Sequence, residues 1–233
     1  MEQPPHRLLF GRRRGRTLRP AQQSRIELLL PRVGVTLPKS GRLDLEALFG
    51  RAGSAIWLEI GFGGGEHLAE QAERHPDVGF IGCEFFQNGI EKLLGQIESR
   101  QLQNVRIFAD DARLLIAALA PSSIARVFVL FPDPWPKRRH HKRRIVSRET
   151  LDRFAEIMSD AGELQLATDD RDYLSWMLER VTDHPAFEWL ARRPRDWRDP
   201  PSDWTPTRYE RKARAAGRWP VFLVLRRRNR VDG

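Results

Sequence analysis

Beyond residue 54 the chain alternates short apolar runs with longer stretches whose apolar residues recur at helical spacing. SAIWLEIG (54–61) reads as a strand entering a glycine turn, and EHLAEQAERHP as a helix stopped by Pro76. VGFIGCE (78–84) is a second strand, followed by a helix in FQNGIEKLLGQIESR with Ile90, Leu93, Leu94 and Ile97 on one face. NVRIFADD (104–111) and IARVFVLF (124–131) are the third and fourth strands, with the helix ARLLIAALA between them. A helix in SRETLDRFAEIMSD, capped by Ser147, leads to the fifth strand, GELQLATD (162–169), and RDYLSWMLERVTDH is helical again. This alternation predicts a parallel sheet with helices on both faces. FEWLAR (187–192) and WPVFLVLRR (219–227) follow with no helix expected between them, so they are expected to pair as an antiparallel edge hairpin. The intervening 193–218 stretch is long for a connection, as functional or disordered loops are. Residues 1–25 hold Pro, Gly and Arg without apolar periodicity and read as a flexible basic arm, leaving 26–233 as a single domain.

Composition narrows the class. Hydrophobic residues make up 40% and charged residues 30% of the 233, and no apolar run approaches the ~18 residues of a membrane helix, so no membrane association is expected. The single cysteine, Cys83, excludes a disulfide framework and a cysteine-based metal site, which suits a reducing cytoplasm. The arm lacks the Ser content and clear amphipathic helix of an organellar transit peptide, although it shares the scarcity of acids. Three segments, 1–25, 137–144 and 208–230, hold 22 of the 40 Lys and Arg but only two of the 31 acids. A mildly acidic body therefore carries three cationic segments, and such patches attract polyanions through counterion release. Nucleic acid is the expected partner, a solvated tail being the alternative for any one segment.

The ends of the strands carry the candidate chemistry, because ligands of open α/β sheets bind beyond their carboxyl ends. The first strand runs into EIGFGGGEHL, with Glu59 followed by Gly61, Gly63 and Gly65. Glycines there let the backbone turn sharply beside a ligand at a helix N-terminus. A dinucleotide fingerprint requires glycine where Glu66 stands, and an acid at that helix start repels a pyrophosphate. The register E-x-G-x-G-x-G is instead that of S-adenosylmethionine-dependent methyltransferases. Glu84, 23 residues after Gly61, stands where an acid accepts from the two ribose hydroxyls. Asp110 and Asp111 end the third strand, placed to take an adenine amino group, and Asp111 is equally placed to cap the next helix. The fourth strand breaks on Pro132-Asp133-Pro134-Trp135-Pro136, whose prolines stiffen the loop bearing Asp133.

These segments, with VFVLFPDPWPKRRHHKRRIV, GELQLATDDRDYLSWML and TPTRYERKARAAGRWP, resemble the bacterial tRNA (guanine-N7-)-methyltransferases, the TrmB family, along most of the chain. The resemblance implies a Rossmann-like class I fold, a mostly parallel seven-stranded sheet with an antiparallel C-terminal edge hairpin. It further implies methyl transfer from S-adenosylmethionine to guanine N7 in the tRNA variable loop. Residues matching the family's cofactor contacts are Glu59, Glu84, Asp111 and Asp133, beside the Gly61, Gly63 and Gly65 turn, with Asp133 also the catalytic residue. Those matching its substrate contacts are Lys137, Asp169, Thr207, Arg208, Tyr209 and Glu210. The GGG at 63–65 departs mildly from the family, which often carries a larger residue in the middle.

The reaction asks little of a base, since guanine N7 already presents a lone pair. Alignment is what an enzyme supplies, contributing on the order of 7 to 11 kcal/mol. A carboxylate is acceptor-only and suits the N1–H and N2–H₂ donors of guanine's edge, so Asp133 or Asp169 is expected to grip it. Lys137, Arg138, Arg139 and Arg143 are expected on the tRNA backbone, and Trp135 reads either as a base-stacking platform or as an aromatic folded onto the sheet. His140 and His141 lack a third ligand nearby and read as RNA contacts, so no metal is expected. A monomer and a homodimer both fit.

Overall fold

The predicted alternation is realised in two units, Met1–Ala120 and Pro121–Gly233. The computed structural model describes residues 10, 11, 13–50 and 53–230. Its seven strands belong to a mostly parallel sheet, to which the first unit contributes β3-β2-β1 and the second β4-β5-β7-β6.

In the first unit, β1 (Ile56–Ile60), β2 (Gly79–Cys83) and β3 (Val105–Phe108) pair in parallel, with Glu59 opposite Gly82 and Cys83 opposite Phe108. Between them run α3 (Glu66–Arg74), α4 (Gln87–Arg100) and, after β3, α5 (Ala112–Ala118). β2 is buried at every position, as a strand covered on both faces must be. Leu68, Phe80, Leu93, Leu94 and Ile107 fill the core between sheet and helices.

Among the described residues two helices precede β1, α1 (Pro20–Val33) and α2 (Leu45–Phe49). Of the expected arm, residues 1–9 and 12 lie outside the described residues, and residues 20–25 are helical. Pro20 suits the first helical position, and Gln22 Oε1 accepts from the Arg19 N–H at 3.0 Å. Ile26, Leu29, Leu30 and Val33 then pack on the core at helical spacing, and Arg25 pairs with Glu91 and Glu98 of α4 at 2.5 and 3.0 Å. Upstream, the Gly15 N–H donates to Asn88 Oδ1 at 2.8 Å and the Gln87 N–H to the Arg13 carbonyl at 3.0 Å, so part of the arm is docked on the start of α4.

In the second unit β4 (Ile124–Leu130) pairs in parallel with β5 (Met158–Thr168), across α6 (Arg148–Ile157). Ser147 caps α6, its hydroxyl accepting from the Thr150 N–H at 3.2 Å. After α7 (Arg171–Thr182) come β6 (Phe187–Trp189) and β7 (Val221–Arg227), antiparallel to each other, with β7 also antiparallel to β5. β6 and β7 are joined as expected, but the connection is not helix-free. It holds α8 (Arg195–Arg198) and α9 (Arg208–Ala215). Arg126 at the start of β4 pins this segment by pairing with Asp203 at 2.5 Å as well as with Glu163 at 2.7 Å.

Candidate active site and nucleic-acid face

After β1 the chain makes a glycine turn with Gly61, Gly63 and Gly65 at φ of 73°, 56° and 75°. Side chains rarely adopt this region, and at Gly65 a Cβ would in addition stand 2.8 Å from Leu93 of α4. At Gly61 a Cβ would meet nothing within 4 Å, so the turn is braced on its α4 side and open at Gly61. Glu84 supplies much of the bracing. Its carboxylate accepts from the Gly63 N–H at 3.0 Å and from the Phe85 and Phe86 N–H groups at 2.8 and 3.0 Å. Gln96 donates to the Gly64 carbonyl at 2.9 Å, and Gly89 packs so closely that a Cβ there would lie 2.2 Å from the Gly63 oxygen. Neither Gly89 nor Gln96 was legible as part of the site, because nothing in the sequence says that α4 crosses this turn.

The other expected cofactor acids are placed differently. Glu59 is buried and its Oε2 lies 2.8 Å from Nδ1 of His67, a buried partner on α3 that sequence reasoning missed. Asp111 is buried and caps α5, accepting from the Arg113 N–H at 3.0 Å, while Asp110 accepts from the Asp111 N–H at 2.7 Å. The donor set of S-adenosylmethionine is an amino group, two ribose hydroxyls and an adenine amine. Acceptor-only carboxylates at the carboxyl ends of β1, β2 and β3, beside an open glycine turn, suit it.

In the second unit β4 ends in a strained loop. Phe131 and Trp135 take left-handed φ of 52° and 47°, which costs non-glycine residues of order 1 kcal/mol or more each. Between them Asp133 is exposed, and no hydrogen bond or ion pair with a described residue engages its carboxylate. Partial desolvation by nearby atoms nonetheless pushes that carboxyl above its ordinary value. Trp135 lies in the left-handed region beside this loop's basic run. It is half-buried against the basic run, with the Arg143 guanidinium 4.9 Å above its ring and His140 edge-on at 5.9 Å.

Lys137, Arg138 and Arg139 are exposed at the start of a 3₁₀ helix (Arg138–Arg143). Arg144, counted in the same run, is buried. Asp169, after β5, is engaged by Arg218, whose Nε donates at 2.6 Å. The Thr207 to Glu210 segment divides in two. Thr207 caps α9 by accepting from the Glu210 N–H at 3.0 Å, and the buried Glu210 carboxylate accepts from Trp204 Nε1 at 2.6 Å and Arg214 Nε at 2.9 Å. Trp204 itself packs edge-on against Phe222 at 4.8 Å and Phe131 at 6.4 Å. Arg208 and Tyr209 point outward with Arg211, Lys212 and Arg214, and Trp219 beyond them is 76% exposed. The T-x-x-E spacing of Thr207 and Glu210 is a capping-box signature, the one local signal from which α9 could have been read.

Known proteins resemble this chain in sequence and in fold. A family model described as "Putative methyltransferase" matches residues 54–222. The tRNA (guanine-N(7)-)-methyltransferase of Rhodospirillum rubrum is 50% identical over 95% of this chain and 88% of its own length. The chain belongs to the tRNA (guanine-N(7)-)-methyltransferase family. A second member, from Paramagnetospirillum magneticum, is 51% identical over 95% of this chain and 93% of its own. Among solved structures, the 16S rRNA methyltransferase KamB superposes with a TM-score of 0.59 at 16% identity, over 83% of this chain and 99% of its own. A 16S rRNA (adenine(1408)-N(1))-methyltransferase of Catenulisporales acidiphilia, solved with its cosubstrate SAM, gives 0.54 at 15%, over 85% and 98%. The methyltransferase fold is thus shared at low identity. None of the described helices of this family member is long and apolar enough to cross a membrane.

Proposed function

We propose that residues 26–233 act as one S-adenosylmethionine-dependent domain that methylates N7 of a guanine in the variable loop of tRNA, giving 7-methylguanosine, in the cytoplasm. The observation that carries this is the glycine turn, left-handed at three alternate positions and open at Gly61, in a chain half identical to enzymes named for that reaction. Bound S-adenosylmethionine supplies an electrophilic methyl group on a sulfonium. The guanine N7 lone pair forms the new C–N bond as the C–S bond breaks, and the electron pair leaves with sulfur. No proton has to be removed first, so the protein's work is alignment and charge.

Of the two acids that suit the guanine edge, Asp133 is favoured. Its carboxylate has no hydrogen-bond or ion-pair partner among the described residues, whereas Asp169 is already held by Arg218. Its negative charge also offsets the positive charge that develops on the methylated ring. Lys137, Arg138 and Arg139 neutralise tRNA phosphates, as do the cations of α9, and Tyr209 and Trp219 offer rings to unpaired bases. The test is incubation with unmodified tRNA and methyl-labelled S-adenosylmethionine, then mapping of the product nucleotide. Label at any position other than guanine N7 rejects the reading.

A further inference from the structure

Arg144 closes a run of cations that otherwise faces solvent, yet its side chain is only 1% exposed. A guanidinium keeps its charge at any working pH and brings five N–H donors, so each donor buried without a bond costs free energy. Arg144 Nε donates to the Pro134 carbonyl at 2.8 Å, and Nη2 donates to the carboxylate of Asp172. Its Cζ lies over the rings of both Tyr173 and Trp176, 4.9 Å from each centroid. Those rings are themselves fixed, Trp176 Nε1 donating to the Val146 carbonyl at 2.6 Å and Tyr173 Oη accepting from the Val146 N–H at 3.3 Å. Nη1 is buried with no partner among the described residues, so the group is placed for the Pro134 and Asp172 bonds at a cost in desolvation.

What Arg144 holds is the middle of the loop bounded by Phe131 and Trp135. Left-handed conformations at such residues persist only when surrounding structure over-determines them. We propose that Arg144 is a positioning residue of the methyl transfer: by fixing the Pro134 carbonyl it sets the direction of the neighbouring Asp133, and it takes no part in binding RNA. The inference rests on the role assigned above to Asp133. It divides the basic run by function, with Lys137 to Arg139 meeting RNA and Arg144 bracing the loop against α7.

Arg144→Lys keeps the charge but loses the planar fork that reaches two acceptors while contacting two aromatic rings. With tRNA and S-adenosylmethionine saturating, the single-turnover rate is expected to fall on the order of 10- to 100-fold, as small misplacements of reacting groups do. The tRNA Kd stays within about twofold of the parent, with an unchanged slope against salt; Arg139→Gln does the reverse, lowering that slope by about 1. The acid limb of the rate profile moves down toward the ordinary carboxylate range as the loop relaxes and Asp133 regains hydration, a change that a purely structural role does not produce. Should Arg144→Lys fail to fold, Asp172→Asn at the exposed end of the clamp carries the test, expected to act in the same direction with a smaller loss. A parental single-turnover rate and acid limb in either folded variant overturns the proposal, as does a weakened, flatter-sloped tRNA affinity with the rate intact. The parent run alongside separates the two failures, since parental label away from guanine N7 rejects the functional reading itself and this inference with it.

Discussion

Substitution of Glu210 separates the two halves of the Thr207 to Glu210 segment. In Glu210→Ala, Trp204 Nε1 and Arg214 Nε lose acceptors at 2.6 and 2.9 Å, and the indole N–H is left in a buried ring. A hydrogen bond to a charged acceptor contributes about 1.5 to 3 kcal/mol, and a stranded buried donor costs about 1 to 3. The half-exposed Arg214 pair adds less than about 1 kcal/mol. Roughly 3 kcal/mol is therefore expected, and at about 2 to 4 °C per kcal/mol in a chain of this size the melting temperature falls by roughly 6 to 12 °C. Glu210→Gln keeps an acceptor for Trp204 and loses only charge, so it falls by about 2 to 4 °C. Arg208→Ala and Tyr209→Ala, which point outward, leave melting within about 2 °C and weaken tRNA binding instead. Thermal denaturation by near-ultraviolet circular dichroism, paired with filter binding of tRNA, reads both quantities. A Glu210→Ala protein that melts with the parent but no longer binds tRNA refutes this reasoning and makes Glu210 a direct substrate contact.

Four further outcomes are expected. Gly65→Ala forces a side chain into a left-handed residue facing Leu93, so S-adenosylmethionine affinity measured by calorimetry falls at least tenfold, while a parental affinity contradicts the account of the turn. Asp133→Asn turns a donor toward guanine's donors and lowers the single-turnover rate. Because the folded chain raises the Asp133 carboxyl, its ionised form is disfavoured by folding, so the Asn variant melts no lower than the parent at pH 7; a lower melting temperature refutes that sign. His184 is buried with its ring value lowered, chiefly by burial, so the unfolded chain binds its proton more readily. Stability that is full above about pH 6.5 is then lost as pH falls toward the depressed native value, and His184→Gln flattens that loss in urea denaturation at pH 7.5 and 5.5. Trp219→Ala, which removes a stacking ring but no charge, raises the tRNA Kd roughly 5- to 100-fold with the salt slope intact, and a parental Kd rejects that ring as a base contact.

The strands were legible because buried parallel strands are continuous apolar runs, as GFIGC in β2 shows. The acids and glycines at their ends were legible because one-dimensional spacing fixes where each strand stops. What those acids touch was not. Glu59 meeting His67 and Glu84 bracing Gly63 are contacts across 8 and 21 residues that no local pattern encodes. α9 escaped because Ala213 and Glu210 are its only buried residues, leaving an almost wholly polar stretch. α1 escaped because its apolar stripe begins at Ile26, past the apparent end of the arm, and Pro31 reads as a breaker. A run of cations likewise cannot show which guanidinium turns inward, because the partners that hold Arg144, Pro134 and Asp172, stand 10 and 28 residues away.

Cys83 has a practical consequence. It is the chain's sole cysteine, it is buried, and its Sγ donates to the Asp110 carbonyl at 3.2 Å. Burial first, and then the charges of Glu84, Asp111 and Asp110, push its thiol well above the ordinary value, so almost no thiolate is present to react. Maleimide dyes will therefore pass over the native thiol, and a cysteine introduced at a chosen surface position becomes the single addressable handle. Placed at Arg13, beside the start of α4, a fluorophore would follow in real time whether the docked arm stays put or lifts when tRNA arrives.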